Sequence, residues 1–195
     1  MSALTLFILR HAKALAADAH GGDFARPLAP RGLSDAAQMG RWLHAHYPAI
    51  DLAVVSPAQR TRETLDRLLG AWPAAAPLTI WEPALYLAEL PTLLHVLATQ
   101  SARRVLVLGH NPGMEALLCH CLGNTGAGLD PTSTLMPTAA LYVLEIAERG
   151  SLTSAGTATL LDHMRPALLA ETGLPARAQR LRRGRGDARR LQHAS

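Results

Sequence analysis

The sequence predicts an α/β fold: an open, mostly parallel sheet flanked by helices on both faces, with a hairpin at one edge. Three observations lead there. The apolar runs Leu6-Phe7-Ile8-Leu9, Leu52-Ala53-Val54-Val55 and Val105-Leu106-Val107-Leu108 read as strands buried on both faces, the pattern of parallel sheets. Segments with apolar residues at helical spacing separate them. Each of the three runs also ends in polar residues at a predicted helix start or loop, the edge at which open α/β sheets bind ligands.

Thr5 to Leu9 forms the first strand, because three of its residues are β-branched or aromatic, and it delivers Arg10 and His11 just past its carboxyl end. A loop rich in Ala, Asp and Gly runs through Gly21-Gly22 to Arg26-Pro27-Leu28 and Pro30. From Arg31 to His46, residues Leu33, Ala36, Ala37, Trp42 and Leu43 fall on one side of a helix that Pro48 stops. Leu52 to Val55 is the second strand. Ser56 then fits an N-cap and Pro57 a first helical position, with Arg60 in the first turn and Leu65, Leu68 and Leu69 on one face. Gly70 to Pro77 reads as a linker, Leu78 to Trp81 as a short strand, and Pro91 to Thr99 as a helix opened by proline, with Glu89 just before it. Arg104 leads into the strongest strand, which ends in Gly109-His110-Asn111-Pro112. Asn111 there fits an N-cap and Pro112 the first position of a helix over Gly113 to Leu122. After a glycine-rich turn over Gly123 to Gly128, Ala139 to Ile146 and Gly156 to His163 read as two strands joined near Gly150, pairing as the edge hairpin.

A chain of 195 residues suits one domain with a sizeable core. No stretch reaches the roughly 18 consecutive apolar residues of a membrane span. No basic region precedes the first apolar residues and no small-residue cleavage site follows them, so a secreted form is not expected. Cys119 and Cys121, two residues apart, cannot build a disulfide framework. The expectation is a soluble, cytoplasmic protein. The net charge of +4 is uneven: from Arg177 onward seven arginines stand against Asp187, so that stretch carries +6 and the remainder −2. The expected organisation is a domain over residues 1–170 and a basic tail over 171–195. Either that tail is solvated chain or it meets an acidic partner; no aromatics interleave its arginines, so base stacking is not indicated.

Chemistry gathers at the junctions Arg10-His11, Ser56 to Arg60 and His110-Asn111, which bring two histidines and two arginines to one sheet edge. A fixed positive charge beside His11 disfavours its protonated form and leaves a neutral, nucleophilic imidazole. A guanidinium fork suits a phosphate, and free N–H groups at the helix starts add to the attraction. With neither Gly-x-x-x-x-Gly-Lys-Ser/Thr nor Gly-x-Gly-x-x-Gly, the pocket is not built as a nucleotide cradle. His44 and His46 point to different faces of their helix, and Cys119-His120-Cys121 lacks a second ligand pair. The two junction histidines have no acidic or cysteine co-ligand, so neither a metal nor another cofactor is expected.

Four separate signals, Leu9-Arg10-His11-Ala12, Arg26-Pro27-Leu28 with Arg31-Gly32, Ser56-Pro57-Ala58-Gln59-Arg60 with Thr64, and Val107-Leu108-Gly109-His110-Asn111-Pro112, together resemble the histidine phosphatase superfamily. This is the phosphoglycerate mutase-like group, and within it the likeness is to the small SixA-type phosphohistidine phosphatases. It covers roughly the first 165 residues. The resemblance implies a phosphoglycerate mutase-like fold. It makes His11 the nucleophile that takes the phosphoryl group on nitrogen, Arg10, Arg60 and His110 the groups that bind its oxygens, and Arg26 an arginine lining the site. Asn111 joins them as a phosphate-binding candidate.

The physics of phosphoryl transfer agrees: charge spreads over three equatorial oxygens, so two arginines and a protonated His110 supply what a protein can offer without a metal. Lys13 either adds to that field or faces solvent. Ala12 replaces the glycine usual after the histidine and keeps a small residue there. Glu82 and Glu89 are the carboxylates between Asp66 and His110. Glu89 is the candidate general acid, or else the acidic residue that favours the helix start at Pro91. Without an acid the leaving group must be good in its own right, as the imidazole of a phosphohistidine is. The interval from Arg60 to His110 is too short for a large cap, and an open site admits a phosphorylated side chain on a protein. The expected activity is a metal-independent phosphohistidine phosphatase acting on a histidine phosphotransfer protein. The alternatives are a small-molecule phosphomonoesterase using Glu89 and a non-catalytic phosphate-binding module.

Overall fold

The computed structural model describes residues 3–16, 21–70, 72, 76–123 and 135–172. Strand β1 (Leu4–Arg10) is followed by helix α1 (Pro30–His46), β2 (Leu52–Val55), α2 (Gln59–Leu69) and β3 (Leu78–Trp81). Then come α3 (Leu90–Ala98), β4 (Arg104–Gly109), α4 (Gly113–Leu122), β5 (Leu141–Ile146), β6 (Ala158–Met164) and α5 (Pro166–Thr172). The six strands form one sheet in the order β3-β2-β4-β1-β5-β6. β3, β2, β4 and β1 run parallel, while β5 is antiparallel to β1 and β6 to β5, which makes the expected edge hairpin.

Alternation along β1 divides the core. Leu6 and Ile8 face a cluster with Leu93 and Leu97 of α3 and Leu117 and Leu118 of α4. Phe7 and Leu9 face the opposite cluster with Met39 and Leu43 of α1 and Leu65 and Leu68 of α2. Because both sides of the strand are covered, its sequence is continuously apolar rather than alternating. The α1–α2 contact is close enough to require glycine: a Cβ on Gly40 would lie 2.2 Å from the Leu68 carbonyl oxygen. A Cβ on Gly32 would lie 2.1 Å from the Lys13 carbonyl oxygen, so α1 packs directly on the backbone that follows His11.

Several boundaries differ from expectation. Helix α2 begins at Gln59, and Ser56 does not cap it; Ala58 holds the N-cap position. Helix α4 begins at Gly113 with Pro112 at the N-cap position and no side-chain cap, so Asn111 is not its cap. The hairpin strands start at Leu141 and Ala158, because Ala139 (φ +61°) and Gly156 (φ +72°) are turn residues. The connection near Gly150 is a short 3₁₀ helix, Arg149–Thr153. The expected domain end at 170 falls within α5, and the basic stretch from Gly173 onward lies outside the described residues, as does most of the glycine-rich turn. No helix among the described residues is long and apolar enough to cross a membrane.

Candidate active site

Sheet register brings the three junctions together. Arg10 pairs with Gly109 across β1–β4, and Val55 pairs with Leu108 across β2–β4. The main chain continues the pattern past the strand ends, with His11 N–H donating to the Gly109 carbonyl (3.1 Å) and Ser56 N–H to the Leu108 carbonyl (3.0 Å). His11, Ser56 and His110 therefore stand side by side at the carboxyl edge, with the two imidazole centroids 5.2 Å apart.

His11 is 8 % exposed. Its Nδ1 lies 2.8 Å from the Ala12 carbonyl oxygen, an atom that can only accept, so Nδ1 carries the ring proton and Nε2 keeps its lone pair. Burial pushes its pKa down to about 4; the Ala12 bond opposes this, and the charges of Arg60, Arg10 and Arg26 reinforce it. Desolvation is thus a larger cause than the neighbouring arginines expected from the sequence. Thr64 supports the same backbone: its hydroxyl accepts from Ala12 N–H (3.0 Å) and donates to the Arg60 carbonyl (2.6 Å).

Ser56, fully buried, places its Oγ 2.8 Å from His110 Nε2. The serine after β2 is thus a partner of the second histidine rather than a helix cap. Burial, then the charges of Arg60 and His11, push the His110 pKa down to about 3, with Asp23 opposing and Arg10 reinforcing. His110 is neutral near pH 7, which corrects the expectation of a protonated ring.

The arginines come from three elements. Arg10, at the end of β1, donates from Nη1 to the Met136 carbonyl (2.7 Å), the same oxygen that accepts from Asn111 Nδ2 (3.2 Å). Glu115 fixes that segment by accepting from Met136 N–H (2.9 Å). Arg60, 2 % exposed in the first turn of α2, donates from Nη1 to the Asp23 carbonyl and from Nη2 to Asp23 Oδ2 (2.9 Å). Arg26 donates from Nη1 to Asp23 Oδ1 (3.0 Å), and the Tyr86 hydroxyl donates to Oδ2 (2.8 Å).

These groups enclose a pocket of about 250 Å³ lined by Arg10, His11, Asp23, Arg26, Arg60 and His110, with Asn111, Thr138, Leu87 and the exposed Lys13 around them. The Nε atoms of Arg10, Arg26 and Arg60, His110 Nδ1 and Asn111 Oδ1 are buried without a hydrogen-bond partner among the described residues. A buried polar atom left without a partner costs free energy. The three guanidinium Nε–H groups are surplus donors and favour a ligand with several acceptor oxygens, whereas Asn111 Oδ1 is an acceptor. Two non-glycine residues with positive φ border the site: Leu87 (φ +51°) lines the pocket, and Ala139 donates its N–H to the His11 carbonyl (3.1 Å). A larger groove of about 720 Å³ along α1 and α2 contains none of these groups.

The structure brings together Arg10, His11, Arg26, Arg60, His110 and Asn111 of the residues singled out from sequence. Glu89 is exposed and does not line the pocket, and the Glu82 carboxylate is occupied in accepting from Ala84 N–H (2.9 Å). Asp23 is the carboxylate that lines the pocket, a residue sequence reasoning passed over; the available signal was its position three residues before Arg26 in a glycine-bearing loop. Cys121 is buried and Cys119 is exposed. Among the described residues no group of three or more His, Cys, Asp or Glu is placed to hold a metal ion.

A family model for the histidine phosphatase superfamily (branch 1) matches residues 6–83. An uncharacterized protein of Mycobacterium tuberculosis is 33 % identical over 168 residues, covering 78 % of this chain and 96 % of that protein. Phosphohistidine phosphatase SixA of Escherichia coli K12 is 30 % identical over 126 residues, covering 63 % of this chain and 77 % of its own length. A solved structure of the protein histidine phosphatase SixA complexed with tungstate superposes with a TM-score of 0.67 at 25 % identity, covering 85 % of this chain and 99 % of that one. The architecture is the phosphoglycerate mutase-like α/β fold of that structure.

Proposed function

The chain belongs to the histidine phosphatase superfamily and is a phosphatase of it, and on that premise we propose that it removes the phosphoryl group from a phosphohistidine on another protein, through a phospho-His11 intermediate. The observation that carries this reading is the bond from His11 Nδ1–H to the Ala12 carbonyl, which leaves the Nε2 lone pair beside three arginines that line the same pocket.

In the first step Nε2 attacks phosphorus while the bond from phosphorus to the substrate imidazole breaks, its electron pair returning to that ring. If the substrate ring carries a proton on its other nitrogen, it departs as neutral imidazole and no proton need be supplied. In the second step water attacks phospho-His11, the P–Nε2 electrons return to His11, and the phosphate leaves with both of the water's protons. Arg10, Arg26 and Arg60 stabilise the oxygens in both steps, so this chemistry needs no metal. In the tautomer in which the Ser56 hydroxyl donates to His110 Nε2, the ring proton sits on Nδ1, where His110 donates to a phosphoryl oxygen as a neutral ring. Asn111, at the same edge, is a further candidate contact through its amide.

SixA carries the name phosphohistidine phosphatase, and the absence of Glu89 from the pocket lining supports a substrate whose leaving group requires no acid. The small pocket opens to a surface with exposed Phe24 and Leu87, which suits a side chain presented by a macromolecule. Dephosphorylation of a phosphohistidine protein, measured with chelator present, tests the reading. Wild type should turn over and form an acid-labile phosphoenzyme, and His11→Ala should do neither; phosphate binding without turnover in wild type would make the protein a phosphate-binding module instead.

A further inference from the structure

We propose that Asp23 is a specificity-determining residue of this site: its carboxylate receives the ring N–H of a phosphorylated imidazole that departs as neutral imidazole, and so favours N-phosphorylated side chains over phosphate esters. The inference rests on the reading of His11 as nucleophile.

In-line displacement puts the leaving group on the side of phosphorus opposite the attacking atom. His11 is nearly buried at the pocket floor, so the leaving group points outward. Among the described residues the carboxylate lining that pocket is Asp23, whose side chain is 40 % exposed. It is also near the chemistry, since its charge acts on His110. Oδ2 accepts from both Arg60 and Tyr86, whereas Oδ1 accepts from Arg26 alone. A carboxylate offers about four acceptor positions, so one remains, on Oδ1.

The charge state decides what that oxygen can do. Partial burial raises the Asp23 pKa, but the Tyr86 bond, the charge and bond of Arg60 and the charge of Arg26 outweigh it, and the group lies below the ordinary carboxylate range. Near pH 7 Asp23 is ionised and accepts hydrogen bonds; it has no proton to give. An alkoxide leaving from a phosphate ester would need a proton and would meet a negative charge. A phosphorylated imidazole with its second nitrogen protonated needs none: its P–N pair returns to the ring, the N–H stays in place, and the carboxylate holds that N–H throughout. The arrangement mirrors the nucleophile, where the Ala12 carbonyl holds the Nδ1–H of His11.

The test compares wild type and Asp23→Asn on a phosphohistidine protein and on p-nitrophenyl phosphate across pH, with inorganic phosphate binding measured alongside. The loss of kcat/KM on the phosphohistidine protein should exceed that on p-nitrophenyl phosphate by about tenfold or more, as expected for a hydrogen bond to a charged group. The gap should widen as pH rises, where the substrate ring is less often protonated in solution. Phosphate should bind as tightly or more tightly, because a nearby negative charge is gone. Equal losses on both substrates with weaker phosphate binding would overturn the proposal, reducing Asp23 to an organiser of Arg26 and Arg60. No loss on either would overturn it too. An inactive wild type would instead remove the phosphatase mechanism itself and the inference with it.

Discussion

His11, Ser56 and His110 at the floor of the pocket are set by strand pairing, whereas Asp23, Arg26 and Tyr86 at its rim come from loops: Arg26 and Tyr86 bond to Asp23, and Asp23 in turn accepts from Arg60. The floor histidines are almost dry and each has one ring nitrogen in a fixed hydrogen bond; the rim carboxylate is 40 % exposed. Precision therefore resides where phosphorus is attacked, and adaptability where the leaving group departs. Arg60 belongs to both, since it is buried in α2 yet bonded to the rim, and among the arginines its removal should have the largest effect. Arg60→Ala is expected to lower kcat by about 10²–10³-fold, the loss typical of a preorganised group facing transition-state charge. Arg26→Ala should cost roughly tenfold less than that, because its side chain is 25 % exposed and its charge better screened. Steady-state kinetics on one substrate checks the ranking; equal losses would erase the distinction between floor and rim.

Much of the floor was legible in the sequence because strand signals are local. An apolar run followed by Arg10-His11 or by Gly109-His110 announces both a buried strand and what stands at its end. The role of Ser56 was not legible, because Ser-Pro is also a helix-start signal; only the pairing of β2 with β4 shows that the hydroxyl meets His110. The rim was largely hidden. Asp23 approaches Arg60 across 37 positions and Tyr86 across 63, and no short-range pattern encodes such contacts. Glu89 drew attention by its interval in the chain, but the turn at Leu87 and the start of α3 leave it exposed outside the pocket.

Ser56→Ala isolates the floor. It leaves His110 Nε2 without its partner, so the ring loses its tautomer preference while its charge partners stay in place. The expected drop in kcat is about tenfold, in line with one buried hydrogen bond. Ring nitrogen chemical shifts of His110 report the tautomer directly; unchanged shifts with an unchanged rate would remove Ser56 from the positioning network.

Acid should weaken floor and rim in sequence. His11 and His110 have folded-state pKa values of about 4 and about 3, below the ordinary histidine value, so the unfolded chain takes up protons first as pH falls. Stability they contribute is present above about pH 6.5 and drains away toward those lower values. Asp23 is also depressed, but from the carboxylate range, so its contribution is present above about pH 4 and is lost only below it. Urea unfolding at pH 7, 5.5 and 4.5 should show loss beginning in the histidine window. Inorganic phosphate, whose negative charge favours both imidazolium forms, should move the histidine titrations upward by NMR.

Tyr86→Phe makes the smallest and most selective change, because it deletes one hydroxyl at the rim. The ring contacts to Phe24 (centroids 4.9 Å) and His110 (5.5 Å) remain. What disappears is the bond to Asp23 Oδ2, the first among the influences that lower the Asp23 pKa. The carboxyl pKa should rise, yet Arg60 and Arg26 still face it, so Asp23 stays ionised at neutral pH. Activity there should fall only about two- to fivefold, the lower end for a partly exposed hydrogen bond. Below neutral pH the deficit should grow as Asp23 takes up its proton earlier than in wild type. A loss as large as that of Arg60→Ala, with no change in pH profile, would mean that Tyr86 acts through the His110 ring, and the rim would then be part of the floor.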